Sequence, residues 1–133
     1  MLTKRQLIVK RSRLPRSGKG LFTKVFIPKN TTIIEYKGKV GTWKELKNEP
    51  DNGYLFYVNK NHVIDALPTK DNWARYANDA KGLSRTEGIR NNCQYVTEGL
   101  KVYIKSMRDL QPGDEILVGY GKEYWDVRKE NMR

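Results

Sequence analysis

Asn72-Trp73-Ala74-Arg75-Tyr76-Ala77-Asn78-Asp79-Ala80 gathers two aromatic rings, two amides, a carboxylate and a guanidinium into one short stretch. Residues 72 to 78 follow Pro68 and have helical character. A capped surface helix is one account of them; a binding site, which needs such a density of hydrogen-bonding groups, is another. Outward from this stretch the chain reads as sheet. Tyr54 to Val58 and His62 to Ala66 flank Asn59-Lys60-Asn61, the composition of a hairpin connection. Thr31 to Val40 reads as a strand in which Gly38 marks a bulge or a close backbone approach. Thr42 with Glu45 three residues on predicts a short capped helix over residues 43 to 48, ended by Pro50. Gln6 to Lys10 and Leu21 to Phe26 read as strands separated by Pro15, Gly18 and Gly20.

Downstream, Lys81 to Arg90 is polar and without periodicity, a surface excursion. Residues 94 to 97 and 100 to 105 pair across Glu98-Gly99, and Pro112-Gly113-Asp114 turns the chain into a strand from Glu115 to Val118. Lys122 to Arg128 reads as a short terminal helix. Short strands with frequent turns and only small helices predict a mainly β domain.

The chain has 133 residues, the ordinary size of one domain. No apolar run approaches the ~20 residues that cross a bilayer, and the N-terminal charges are not followed by a signal-peptide stretch, so an intracellular protein without a membrane partner is expected. Cys93 is the single cysteine, which excludes an internal disulfide and a cysteine-rich zinc cluster. Cys93 itself reads as a small buried side chain, and His62, with no partner ligands in sight, as a structural histidine, so no metal site is expected. The formal net charge is +11, and up to Asn30 there are nine Lys or Arg and no acid. That basic arm suits nucleic acid or an acidic protein surface, and serves equally as charge for solubility.

Gly18-Lys19-Gly20 makes either a turn or a place where backbone amides approach a ligand. It lacks the strand-then-helix setting of a dinucleotide fingerprint. In context, Arg75-Tyr76-Ala77-Asn78 resembles the Arg-Phe-x-Asn of SET domains, and residues 72 to 80 are closest to the PR/SET branch. Gly18-Lys19-Gly20-Leu21-Phe22 with Ile27-Pro28-Lys29 resembles the family's N-terminal cofactor motif. Glu35-Tyr36-Lys37-Gly38 resembles its Glu-Tyr-x-Gly strand, and Gly113 to Gly121 its Gly-Glu-Glu-Leu-x-x-x-Tyr block. The four blocks occur in the family's order over residues 18 to 125 or so.

The resemblance implies a β-clip-like fold of several small sheets, with a C-terminal pseudoknot in which the late segment passes beneath an earlier loop. It implies a basic strand region over 1–17, a core over 18–120 and a cofactor-covering segment over 121–133. It further implies transfer of a methyl group from S-adenosylmethionine to a lysine in the tail or loop of a protein substrate, with histone-like tails the first expectation. Tyr120 becomes the leading catalytic residue, with Tyr54 and Tyr95 either beside the lysine channel or packed in the core. Lys19, Gly20 and Leu21, then Arg75, Tyr76, Asn78 and Asp79, would line the cofactor together with Tyr120. Tyr124 and Trp125 would cover its adenine ring or pack a terminal helix. Aromatic walls suit an in-line displacement, in which alignment, exclusion of water and stabilisation of cations matter more than a strong base.

Two departures stand out. Asn78-Asp79 replaces the usual Asn-His, and residues 81 to 90 replace a short Cys-x-Pro-Asn link. A catalytically inactive SET-like module that binds nucleic acid or a protein partner is the alternative reading. A nucleic-acid-binding β-barrel fits less well, because the aromatics are dispersed among the motif blocks.

Overall fold

Alternating burial builds the sheets. In Lys101–Ser106 the side chains of Val102, Ile104 and Ser106 are buried while their neighbours reach toward solvent, the period of two expected of a strand. The computed structural model describes residues 1–48, 52–81 and 85–120. In chain order its elements are β1 (Leu7–Arg11), β2 (Lys19–Thr23), β3 (Thr32–Glu35), β4 (Lys39–Gly41), α1 (Trp43–Leu46), β5 (Leu55–Asn59), β6 (His62–Asp65), a 3-10 turn (Trp73–Tyr76), β7 (Cys93–Glu98), β8 (Lys101–Ser106) and β9 (Glu115–Ile116).

The strands form three antiparallel sheets, ordered β1-β2-β9, β3-β8-β7 and β4-β6-β5. This is the mainly β architecture of small sheets that the sequence predicts. The core between them is drawn from all three, through Leu7, Leu21, Ile33, Ile64, Val102, Ile104 and Ile116.

The hairpins 55–65 and 93–106 fall where the turn residues place them, with Gly99 at φ +63 closing the second. The capped helix is present: Thr42 accepts from the Glu45 N–H while the Glu45 carboxylate accepts from Thr42, which holds that carboxyl below its usual range. Two expectations change. The strand over residues 31 to 40 is two strands in different sheets, because the chain turns at Tyr36–Gly38, where a Cβ on Gly38 would collide with the main chain of Asp65. The helical stretch 72–78 is only one 3-10 turn, after which Ala77 is extended and the next residues join a β-bridge. The terminal helix expected over residues 122 to 128 lies outside the described residues.

Past β9 the chain enters a narrow setting. The Val118 N–H donates to the Asn78 carbonyl at 2.9 Å, and the Leu117 carbonyl accepts from the N–H groups of Asn92 and Cys93, both at 3.0 Å. Both bridges are parallel. Leu117 and Val118 thus pair with both arms of the excursion that leaves at Asn78 and returns at Cys93.

Glu115 anchors this segment. Its fully buried carboxylate accepts from the Ser12 hydroxyl at 2.6 Å and the Arg13 N–H at 3.0 Å, with the Arg13 guanidinium at 3.6 Å. A Cβ on Gly20 would strike that carboxylate, so the absence of a side chain at Gly20 makes room for an acid. Glu115→Ala strands these donors and should lower stability by about 3 kcal/mol in urea denaturation, with Glu115→Gln costing less. A loss under about 1 kcal/mol would show that the carboxylate is not an anchor.

Cys93 is fully buried, and burial pushes its thiol from an ordinary 9.0 up to about 12, against the opposing pull of Arg108. Below pH 9 the thiol is neutral in both folded and unfolded chains. Between 9.0 and about 12 only the unfolded chain ionises, so the stability tied to this group falls as pH rises, by up to about 1.4 kcal/mol per unit. The stability advantage of the wild type over Cys93→Ala should therefore shrink above pH 9, and the folded thiol should resist thiol reagents at neutral pH.

Candidate functional site

The 3-10 turn Trp73–Tyr76 buries Ala74 and Arg75 and leaves Tyr76 half-exposed. The Arg75 guanidinium donates to the carbonyls of Ala66 at 2.8 Å and Leu67 at 2.7 Å. It also lies 4.1 Å from the ring centre of Tyr54 and 5.2 Å from that of Tyr76. A buried cation is tolerated here because two carbonyls and two ring faces replace water. Arg75 thereby lies against the rings of both Tyr54 and Tyr76.

The next two residues serve two neighbourhoods. The Asn78 side-chain amide donates to the Lys19 carbonyl at 3.0 Å, tying the glycine-flanked segment to the 72–80 block. The Lys19 ammonium is 6.0 Å from the ring centre of Tyr76. One residue earlier, the Ala77 carbonyl accepts a hydrogen bond from the Tyr120 hydroxyl. The Tyr120 ring stacks on Tyr95 at 6.3 Å between centres, and Tyr95 meets Phe56 and Tyr36 edge-on at 5.0 and 5.9 Å. The Tyr36 hydroxyl donates to the Tyr54 carbonyl at 2.8 Å. Tyr36, Phe56, Tyr95 and Tyr120 form one aromatic group from four distant parts of the chain.

Asp79 is 5% exposed and is held within the protein. One carboxylate oxygen accepts from the Tyr120 N–H at 2.8 Å; the other accepts from the Lys81 N–H and the Asn91 amide, each at 2.8 Å. Asn91 in turn accepts from the Ala80 N–H at 2.7 Å. The Asp79–Asn91 pair ties the two ends of the excursion together and braces the backbone of Tyr120.

Of the residues singled out from the sequence, Lys19, Tyr54, Arg75, Tyr76, Asn78, Tyr95 and Tyr120 converge on this region. Leu21 is wholly buried in the core and Gly20 faces Glu115. Tyr124 and Trp125 lie outside the described residues. Sequence reading missed the Ala77 carbonyl, Phe56 and Asn91. The first is backbone, Phe56 looked like any strand aromatic, and Asn91 ends a polar stretch with nothing to mark it as buried. Among the described residues no group of His, Cys, Asp or Glu is placed to hold a metal ion, and no helix is long and apolar enough to cross a membrane.

A mainly β scaffold of three small sheets, with a late tyrosine bonded to Ala77 and Asp79 and stacked on Tyr95 in an aromatic cluster, defines a class of small β domains. The chain belongs to the SET-domain family, whose model matches residues 18–121. It is 29% identical over 129 residues to the histone-lysine N-methyltransferase set-17 of Caenorhabditis elegans, covering 92% of this chain and 44% of that protein. It is 27% identical over 109 residues to the human PR domain zinc finger protein 14, covering 79% of this chain and 18% of that one, and 28% identical to the mouse protein of the same name. The chain spans less than half the length of these curated relatives.

In Asp79→Asn one oxygen replaces two, and the new amide confronts the N–H groups of Tyr120 or of Lys81 and Asn91. The expected loss is about 2 kcal/mol in urea denaturation, whereas Tyr120→Phe, which removes one hydroxyl, should cost about 1 kcal/mol.

Proposed function

We propose that this chain is an S-adenosylmethionine-dependent protein-lysine N-methyltransferase whose substrate is a histone-like or other basic, nucleic-acid-associated protein. The observation that carries the reading is the junction at Ala77-Asn78. One residue serves the hydroxyl of Tyr120 and the aromatic cluster; the next serves the Lys19 segment, so two neighbourhoods meet across one peptide unit.

The cofactor side has a suitable donor set. Tyr76 offers a half-exposed ring, Lys19 and Asn78 offer polar groups beside it, and the buried Asn72 Oδ1 and Arg75 Nε have no hydrogen-bond partner among the described residues. Buried atoms left without partners are costly, and the polar groups of a bound ligand would satisfy them. When bound, the cofactor supplies an electrophilic methyl carbon.

On the other side, Tyr36, Phe56, Tyr95 and Tyr120 would enclose the aliphatic stem of a lysine and exclude water. Desolvation lowers the pKa of its ammonium, so the proton leaves to solvent before the nitrogen lone pair attacks. The Tyr120 phenol has its proton committed to the Ala77 carbonyl, which leaves its oxygen as an acceptor that orients the amine. Ring faces stabilise the cationic product. Asp79, through the Tyr120 N–H, would act as a positioning residue.

Titration calorimetry with S-adenosylmethionine should give micromolar binding, weakened about tenfold or more in Asn78→Ala. Tyr120→Phe should retain that binding while methylation of a histone-like protein falls about a hundredfold. Absence of binding at millimolar cofactor would overturn the enzyme reading in favour of a non-catalytic binding module.

A further inference from the structure

A second, smaller core joins parts of the chain that the catalytic reading leaves unused. Leu14, from the β1–β2 connection, packs with Ala80, Leu117 and the partly buried Ile89. Ala80 and Ile89 also line a cavity of about 750 Å³ whose walls include Lys81, Arg85, Arg90 and Arg108. Among the described residues that line it, Glu87 is the one acid. Arg85 and Arg108 each donate to a main-chain carbonyl, Lys81 at 3.2 Å and Asn91 at 3.3 Å, which orients the guanidinium without neutralising it. All four cationic residues are exposed. The small core also brings up the β1–β2 connection, which carries the exposed Arg13 and Arg16 on either side of Leu14.

We propose that this cleft and the adjoining β1–β2 connection bind the phosphodiester backbone of a duplex nucleic acid. The cationic surface extends beyond the cavity, which favours a long polyanion over a small one. Arginine predominates in it, and its planar fork matches phosphate oxygens in pairs. Among the described lining residues four cations stand against one acid, Glu87, and the first 30 residues hold no acid, while Arg13 is countered in part by Glu115 at 3.6 Å. The site uses neither the aromatic cluster nor the Lys19–Tyr76 region, so it stands whether or not the chain methylates anything.

Fluorescence anisotropy with labelled duplexes of about 20 base pairs, titrated over a range of KCl concentrations, tests the proposal. The triple variant Arg85→Gln, Arg90→Gln, Arg108→Gln should weaken binding about tenfold or more and flatten the log–log salt slope by about 2 to 3. Removing equal charge elsewhere, by Lys39→Gln, Lys44→Gln and Lys60→Gln, should change affinity less than about threefold. Arg90→Glu alone, at an exposed position, gives the same direction of change if the triple variant fails to fold. Separate duplex DNA and duplex RNA arms identify the source of the backbone, and binding of either supports the site. Equal losses in both triple variants would overturn it by reducing the effect to net charge. Displacement of the duplex by polyglutamate of matched charge would overturn it in favour of an acidic protein partner, as would absence of binding to any duplex at low salt.

Discussion

A buried backbone must find a partner for nearly every N–H and carbonyl, and the segment from Glu115 to Tyr120 meets that demand by joining three other parts of the chain. β9 pairs with β2, Val118 bonds to Asn78, Leu117 bonds to Asn92 and Cys93, and the Tyr120 N–H bonds to Asp79. Asn92 reinforces the join with its side chain, which donates to the Glu115 carbonyl and accepts from the Leu117 N–H. Each of these bonds closes a long loop. The position of Tyr120 follows from this requirement and not from any preference of its own.

The same constraint explains two unusual residues. An acid at position 115 would ordinarily be expelled from a core, yet Ser12, Arg13 and the space left by Gly20 accommodate it. Asp79, where the family usually has histidine, serves as a three-donor acceptor that ties Asn91 and Lys81 to the backbone of Tyr120. A carboxylate suits this place because every group facing it in these bonds is an N–H. The ends of the longer excursion are clamped by the Asp79–Asn91 pair.

Much of the sheet structure was legible locally. The hairpin turns at Asn59-Lys60-Asn61 and Glu98-Gly99, and the capping box Thr42–Glu45, are short-range signals that tertiary context did not override. The expectation of one strand over residues 31 to 40 failed because β-rich composition cannot say where a strand leaves one sheet and joins another. The expectation of a helix over residues 72 to 78 failed for a related reason: after Tyr76, pairing of Asn78 with Leu117 competes with continued helix and wins.

The residue types at the candidate site, Lys19, Arg75, Tyr76, Asn78, Tyr95 and Tyr120, could be chosen from their order and neighbours, since that information is local and chemical. The sequence by itself thus determined the family, most of the strands and the set of polar and aromatic groups available for chemistry. Only the tertiary structure decided that the Ala77 carbonyl receives the Tyr120 hydroxyl, that Asn91 and Asp79 close one loop, and that Leu14 packs with Ala80, Leu117 and Ile89. Backbone acceptors carry no residue signature, and contacts between segments tens of residues apart depend on how loops close around a shared core, which no local pattern encodes.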